Sequence, residues 1–111
     1  MKVKNQKERK RDEFRKNKEN GHPAYIYAKV GNRYNFIGIT HSEITKGIKN
    51  IKLDKNPNPN DKKTAYARNM TEAGNTNQFK NKEKDWKLSK ADKLKIEKIK
   101  TQSKDKPKRK S

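Results

Sequence analysis

The chain has 111 residues, of which 32 are Lys or Arg and 13 are Asp or Glu, for a formal charge of +19. Apolar residues make up 26% of it, against roughly 45–50% in an ordinary domain, so one small core is the most it can build. Without cysteine it forms neither a disulfide framework nor a thiolate metal site. No run approaches the roughly 20 apolar residues of a membrane span, and the N-terminus has no apolar stretch of the kind a signal peptide needs. A cytoplasmic location is the expectation.

Self-repulsion at this charge works against compaction, and a polyanionic partner offsets it. The surplus is +5 over residues 1–20, +4 over 21–60 and +10 over 61–111, so it runs along the whole chain. Nucleic acid is the partner this implies, RNA ahead of DNA. No large apolar helix face is offered to a membrane surface.

Residues 1–20 read as a basic arm whose cations include Arg9, Lys10, Arg11 and Arg15, with Val3 and Phe14 as apolar points. Good helix formers and the Asp12/Lys16 spacing predict an arm that becomes helical when docked on phosphates. Next come two β-branched and aromatic runs, 24–30 and 34–40, around Gly31-Asn32, a two-residue hairpin signal. A two-residue turn there pairs Val30 with Arg33, Ala28 with Asn35, Ile26 with Ile37, Ala24 with Ile39 and His22 with His41. Side chains alternate along a strand, so Ala24, Ile26, Ala28, Val30, Ile37 and Ile39 share an aliphatic core face. The other face carries Tyr25, Tyr27 and Lys29 against Tyr34, Phe36 and Gly38.

Beyond the hairpin, Ser42 as N-cap and Gly47 as terminator predict a single helical turn. Residues 48–53 suit a short third strand with Ile51 and Leu53 inward. Asn56-Pro57-Asn58-Pro59-Asn60-Asp61 is a rigid polar loop, because proline excludes both helix and ladder pairing. Residues 64–70 predict a fourth strand with Ala65 and Ala67 on one face and Tyr66 and Arg68 on the other. Residues 71–85 are turn-rich. Ser89 with Asp92 resembles a capping box that opens a helix over 90–101. Its expected stripe is Ala91, Leu94 and the Lys98 methylenes, widened by Ile96 and Ile99. Residues 103–111 form a basic tail. The fold expected is α+β: an antiparallel sheet of three to four strands built on the 24–41 hairpin, covered by the C-terminal helix, with basic extensions (1–20 and 103–111) on a body of residues 21–102.

Two constellations carry chemistry. Tyr25, Tyr27, Tyr34 and Phe36, with Lys29 and Arg33 beside them, suit base stacking with phosphate contacts at the rim; packing of the helix and Trp86 on that same face is the structural alternative. His22 and His41 with Thr40, Ser42 and a cation such as Arg68 or Lys49 suit metal-independent RNA cleavage. One histidine takes the 2′-hydroxyl proton, the other protonates the leaving oxygen, and the cation stabilises the phosphorane. Two histidines with only Glu43 nearby make a poor metal ligand set, so no metal and no cofactor is expected.

At His22-Pro23-Ala24-Tyr25, Thr40-His41-Ser42, Lys49-Asn50-Ile51 and Asn56-Pro57-Asn58-Pro59 the chain resembles small basic proteins of bacterial mobile elements, over positions 22 to 88. In size, charge and antiparallel α+β order it is also similar to the barnase–EndoU–RelE superfamily of small ribonuclease toxins. That resemblance implies RNA cleavage without metal in a sheet-lined cleft, with His22, His41, Thr40 and Arg68 at the matching positions. RelE-type members often use Arg, Lys and Tyr without histidine, which leaves each residue's role open. The residues thus suit three functions: nucleic-acid binding, a toxin-like endoribonuclease, and an adaptor that docks an acidic protein or antitoxin.

Overall fold

The structure, a computed structural model, describes residues 8–105. Eight strands precede one helix: β1 (Glu8–Lys16), β2 (Pro23–Val30), β3 (Arg33–Thr40), β4 (Ile44–Thr45), β5 (Ile48–Lys49), β6 (Ile51–Lys52), β7 (Tyr66–Ala67), β8 (Glu72–Asn75) and α1 (Lys90–Asp105). The main sheet has six strands in the order β1-β2-β3-β7-β6, with β8 also paired to β3, and every pairing is antiparallel. The fold is α+β as expected. The sheet is larger than three or four strands.

The extra strands are β8, within the stretch expected to be turn-rich, and β1, from the segment read as a basic arm. Residues 8–16 do not wind into a helix; they pair with β2 from Glu8↔Val30 to Lys16↔Pro23. Phe14 decides this, since its ring is 1% exposed and sits 5.1 Å from Tyr25 and 5.7 Å from Trp86. Burying one large aromatic outweighs the weak helix propensity of its charged neighbours. Residues 1–7 and 106–111, which hold the rest of the arm and most of the tail, lie outside the described residues.

The hairpin turn is where the Gly-Asn pair puts it, with Gly31 at φ +59° and Val30 opposite Arg33. The register then departs from expectation. Ala28 faces Asn35, but Ile26 faces Phe36, Tyr25 faces Ile37 and Ala24 faces Gly38. One extra residue on β2, Tyr27, forms a β-bulge, and a one-residue slip exchanges the faces of everything beyond it. The predicted aliphatic and aromatic faces are therefore both mixed. Tyr25, Ile37 and Ile39 join Phe14, Leu53, Ala67, Leu88, Ile96 and Ile99 beneath the helix, with Tyr27 and Trp86 at the margin. Ala24, Ile26 and Tyr34 form a second cluster with Phe79 on the far face, flanked by Phe36.

Helix α1 begins where Ser89 predicts, its hydroxyl accepting the Asp92 N–H at 3.1 Å. Its buried stripe is Asp92, Ile96 and Ile99, whereas Leu94 is 67% exposed and Ala91 is also exposed. Asp92 is fully buried because its carboxylate accepts the N–H groups of Asp54 and Lys55 at 2.7 and 3.1 Å. Lys95, 3.5 Å away, also binds Asp54 at 2.8 Å, and that partner holds its ammonium above the ordinary lysine range. The expected helical turn at 42–47 is instead the β4–β5 hairpin, turned by Lys46 and Gly47 at φ 51° and 79°. Asn50 closes it, donating to the Ser42 carbonyl and the Thr45 hydroxyl.

Phe14→Ala should destabilise the protein by about 3–5 kcal/mol, the usual cost of emptying a buried Phe site. Urea denaturation followed by circular dichroism measures it; a change below about 1 kcal/mol would mean that residues 8–16 do not belong to the folded body.

Candidate nucleic-acid interface

The open end of the β2–β3 hairpin gathers the chemistry-bearing side chains. Continued past Ala24↔Gly38, the shifted register sets His22 beside Thr40, and His41 moves on toward the loop at 56–61. A tight turn at 17–22 aims His22, since the Asn17 N–H donates to the His22 carbonyl and the Gly21 N–H to the Asn17 carbonyl. The His22 N–H donates in turn to the Asn20 side chain.

Two adjoining cavities open here. The first, of about 160 Å³, is lined by Asn17, His22, Phe36, Thr40, Arg68 and Glu72 among others. The second, of about 290 Å³, is lined by His22, Thr40, His41, Ser42, Asp61 and Trp86. His22, Pro23, Ile39 and Thr40 belong to both walls. The structure thus brings His22, Thr40, His41 and Arg68 to one end of the sheet, although the histidines are not cross-strand partners.

Arg68 owes its position to a second irregularity. β3 pairs with β8 from Arg33↔Asn75 to Phe36↔Glu72 and with β7 at Ile39↔Ala67. Two residues of β3 therefore face four, Arg68 to Thr71, and this wide bulge turns Arg68 over the far face. Gly38 leaves the room for it: a Cβ there would lie 3.1 Å from Arg68 Cγ. The guanidinium has no carboxylate within ion-pair reach among the described residues. Its Nε is buried without a hydrogen-bond partner, and its Nη2 meets only the Met70 sulfur at 3.4 Å.

His41 Nε2 lies 2.7 Å from Asp61 Oδ2. An ionised carboxylate only accepts, so Nε2 is the donor and Nδ1 is left as the ring's second site. The Lys63 N–H, and after it His41, hold the Asp61 carboxyl below its ordinary 3.8. Sequence reasoning missed Asp61. The prolines mark its loop as rigid, yet nothing local shows that the loop returns to the hairpin end. Glu72 and Asn17 were missed likewise, because bulges and turns distant in sequence deliver them.

The four rings expected to form one stacking surface are not together. Tyr25 is buried beneath the helix, its hydroxyl donating to Asp12 at 2.9 Å, and burial and that carboxylate push its phenol upward. Tyr27, half-buried on the same side, lies 4.9 Å from the Lys100 ammonium, and burial raises its phenol too. Tyr34 is on the far face, 6% exposed, packed edge-on against Phe79 and roofed by the Arg15 guanidinium at 5.1 Å. Phe36 alone both meets Phe79, at 5.1 Å, and lines a cavity. Of the cations, Arg9, Lys10 and Arg33 are exposed and Lys29 is half-buried, whereas Arg11 and Arg15 both bind Glu13, at 3.3 and 2.6 Å. Among the described residues no three His, Cys, Asp or Glu side chains cluster as metal ligands would.

No protein-family model, no curated protein and no solved structure matches this chain.

The fold favours the ionised Asp61 carboxylate, so its contribution is present above the ordinary 3.8 and is lost as pH falls through the lowered folded value. His41→Ala should raise the Asp61 midpoint without restoring it fully, since the Lys63 N–H remains. Carbon-13 NMR of the carboxyl group reads this directly, and an unmoved midpoint would mean that the two side chains do not pair in solution.

Proposed function

We propose that the protein binds nucleic acid, RNA ahead of DNA, through the paired cavities at the open hairpin end and the cationic surface around them. The observation that carries this reading is Arg68: a guanidinium in a cleft, unpaired with any carboxylate among the described residues, beside His22 and Thr40. A guanidinium fork matches the oxygens of a phosphate, and desolvating its Nε without a partner is costly unless an anion approaches. Of the two carboxylates on these walls, Asp61 is committed to His41 and Glu72 faces the Arg68 cleft outside ion-pair reach of the guanidinium. The net charge of +19 supplies the wider positive field. RNA ranks ahead of DNA because the cavities are lined by hydroxyl, imidazole and amide groups, which can hydrogen-bond a 2′-hydroxyl as well as unstacked bases.

A second reading, metal-independent endoribonuclease action, is favoured by one specific contact. Asp61 fixes the His41 ring and leaves Nδ1 free to accept a proton, while His22 lines the same cavity from the opposite strand. His41 would take the proton of a 2′-hydroxyl as the oxygen attacks phosphorus. His22 would protonate the departing 5′-oxygen, and Arg68 would stabilise the charge on the phosphorane. The resemblance to small ribonuclease toxins points the same way. The stacking surface first expected is not needed in either reading.

Fluorescence anisotropy with a labelled oligoribonucleotide should give a log affinity that falls linearly with log salt. Arg68→Ala should weaken binding at least fivefold and reduce the slope by about 0.7, the share of one phosphate on a single strand. A flat salt dependence would contradict nucleic-acid binding. For the second reading, RNA incubated with the protein in EDTA should be cut and its 2′-deoxy counterpart spared. His22→Ala and His41→Ala should each slow cleavage at least about 100-fold, the usual weight of a general acid or base. Intact RNA would leave a binder without this activity.

A further inference from the structure

We infer that a single nucleic-acid strand lies along one continuous trough, from the Arg68 cleft past the two histidines to a lysine-lined recess under the 56–63 loop. This rests on the binding reading and extends it to a path. The recess, of about 680 Å³, is lined by Lys52, Lys55, Lys62, Lys63 and Lys87, with the Asn-Pro repeat as its frame. It adjoins the second cavity, with Asn56, Asn58, Asp61 and Ala65 in the walls of both. That cavity in turn shares His22 and Thr40 with the Arg68 cleft. Three cavities therefore follow one another around the end of the hairpin.

The recess carries net positive charge where it counts. Of the three acids on its wall, Asp54 is bound by Lys95 and Asp61 by His41, which leaves Asp85 against five lysines. None of the five lysines lies within ion-pair reach of a carboxylate among the described residues.

The frame that holds these lysines is stiff, so little conformational freedom is lost when an anion settles on it. Pro57 and Pro59 fix two φ angles, and the Asn56, Asn58 and Asp61 side chains accept the N–H groups of Asn58, Asn60 and Lys63. Asn56 Nδ2 also donates to the Lys63 carbonyl at 2.9 Å, which closes the loop on itself.

The three cavities share wall residues within a body 48 Å long. A flexible single strand can pass from one recess to the next, whereas duplex nucleic acid, stiff over about 50 nm, cannot enter them in turn. The ligand class is thus a flexible single strand, long enough to reach from Arg68 to Lys62.

The test compares two variants of equal charge by anisotropy with oligouridylates of 3 and 12 nucleotides and with a 12-base-pair RNA duplex. Lys62→Gln/Lys63→Gln/Lys87→Gln neutralises the recess. Lys82→Gln/Lys84→Gln/Lys98→Gln neutralises three lysines that line none of the three cavities. The recess variant should lose at least tenfold for the 12-mer and about 2 units of salt slope, at roughly 0.7 per phosphate, with less than a twofold change for the 3-mer. The control variant should change 12-mer affinity less than threefold, and the duplex should bind the wild type at least tenfold more weakly than the 12-mer. Equal losses in the two variants, or a duplex that binds as well as the single strand, would overturn the trough while leaving nucleic-acid binding intact. A wild-type protein that binds none of the three ligands would overturn both.

Discussion

The β-bulge at Tyr27 is the constraint on which the arrangement depends. Up to Ala28 the hairpin follows the register its two-residue turn imposes; beyond it every side chain of the β2–β3 pair changes partner. That slip sends Tyr25 under the helix beside Ile37, and Ile26 to the far side beside Phe36. It also moves His22 from opposite His41 to beside Thr40. The wide bulge at Arg68 to Thr71 complements it from the other edge of β3 and aims a guanidinium at the same end of the hairpin. Bulges of this kind re-aim side chains, and both do so here.

A chain with so few apolar residues manages this by using both faces of one sheet and letting charged groups complete each of them. On the helix face, the buried Asp92 carboxylate ties α1 to the backbone at Asp54 and Lys55, a position an aliphatic residue would ordinarily take. On the far face, the Arg15–Glu13 pair roofs Tyr34 in place of a second helix. Each device satisfies a buried polar group fully, as a low-dielectric interior requires. Arg68 and the lysines of the 56–63 loop are among the cations that have no carboxylate partner among the described residues.

Much of the framework was legible in the sequence, and the exceptions share a cause. The Gly31-Asn32 turn, the Ser89 start of the helix, the inward Leu53 and the Ala65/Ala67 alternation are local signals, and each appears where its residues place it. The strand at 8–16 was hidden because its far-face positions are Glu13 and Arg15, whose mutual pairing only the folded sheet provides. The helix stripe was misread for the same reason, since a buried Asp92 stands where periodicity looks for an apolar residue. The Tyr27 bulge has no glycine to announce it. Of the candidate site, His22, Thr40, His41 and Arg68 were identified from side-chain chemistry. Asp61 is brought to them by a loop 20 residues further on, and no local pattern encodes that return.

Where a nucleic acid touches the protein is the decisive observation. Amide chemical-shift perturbation during titration with a 12-nucleotide oligouridylate maps this residue by residue. Shifts concentrated at 20–23, 39–42, 56–63 and 68, with α1 and the 31–32 turn unmoved, are the predicted result. Shifts confined to the exposed side of α1, or spread evenly over the surface lysines, would contradict it.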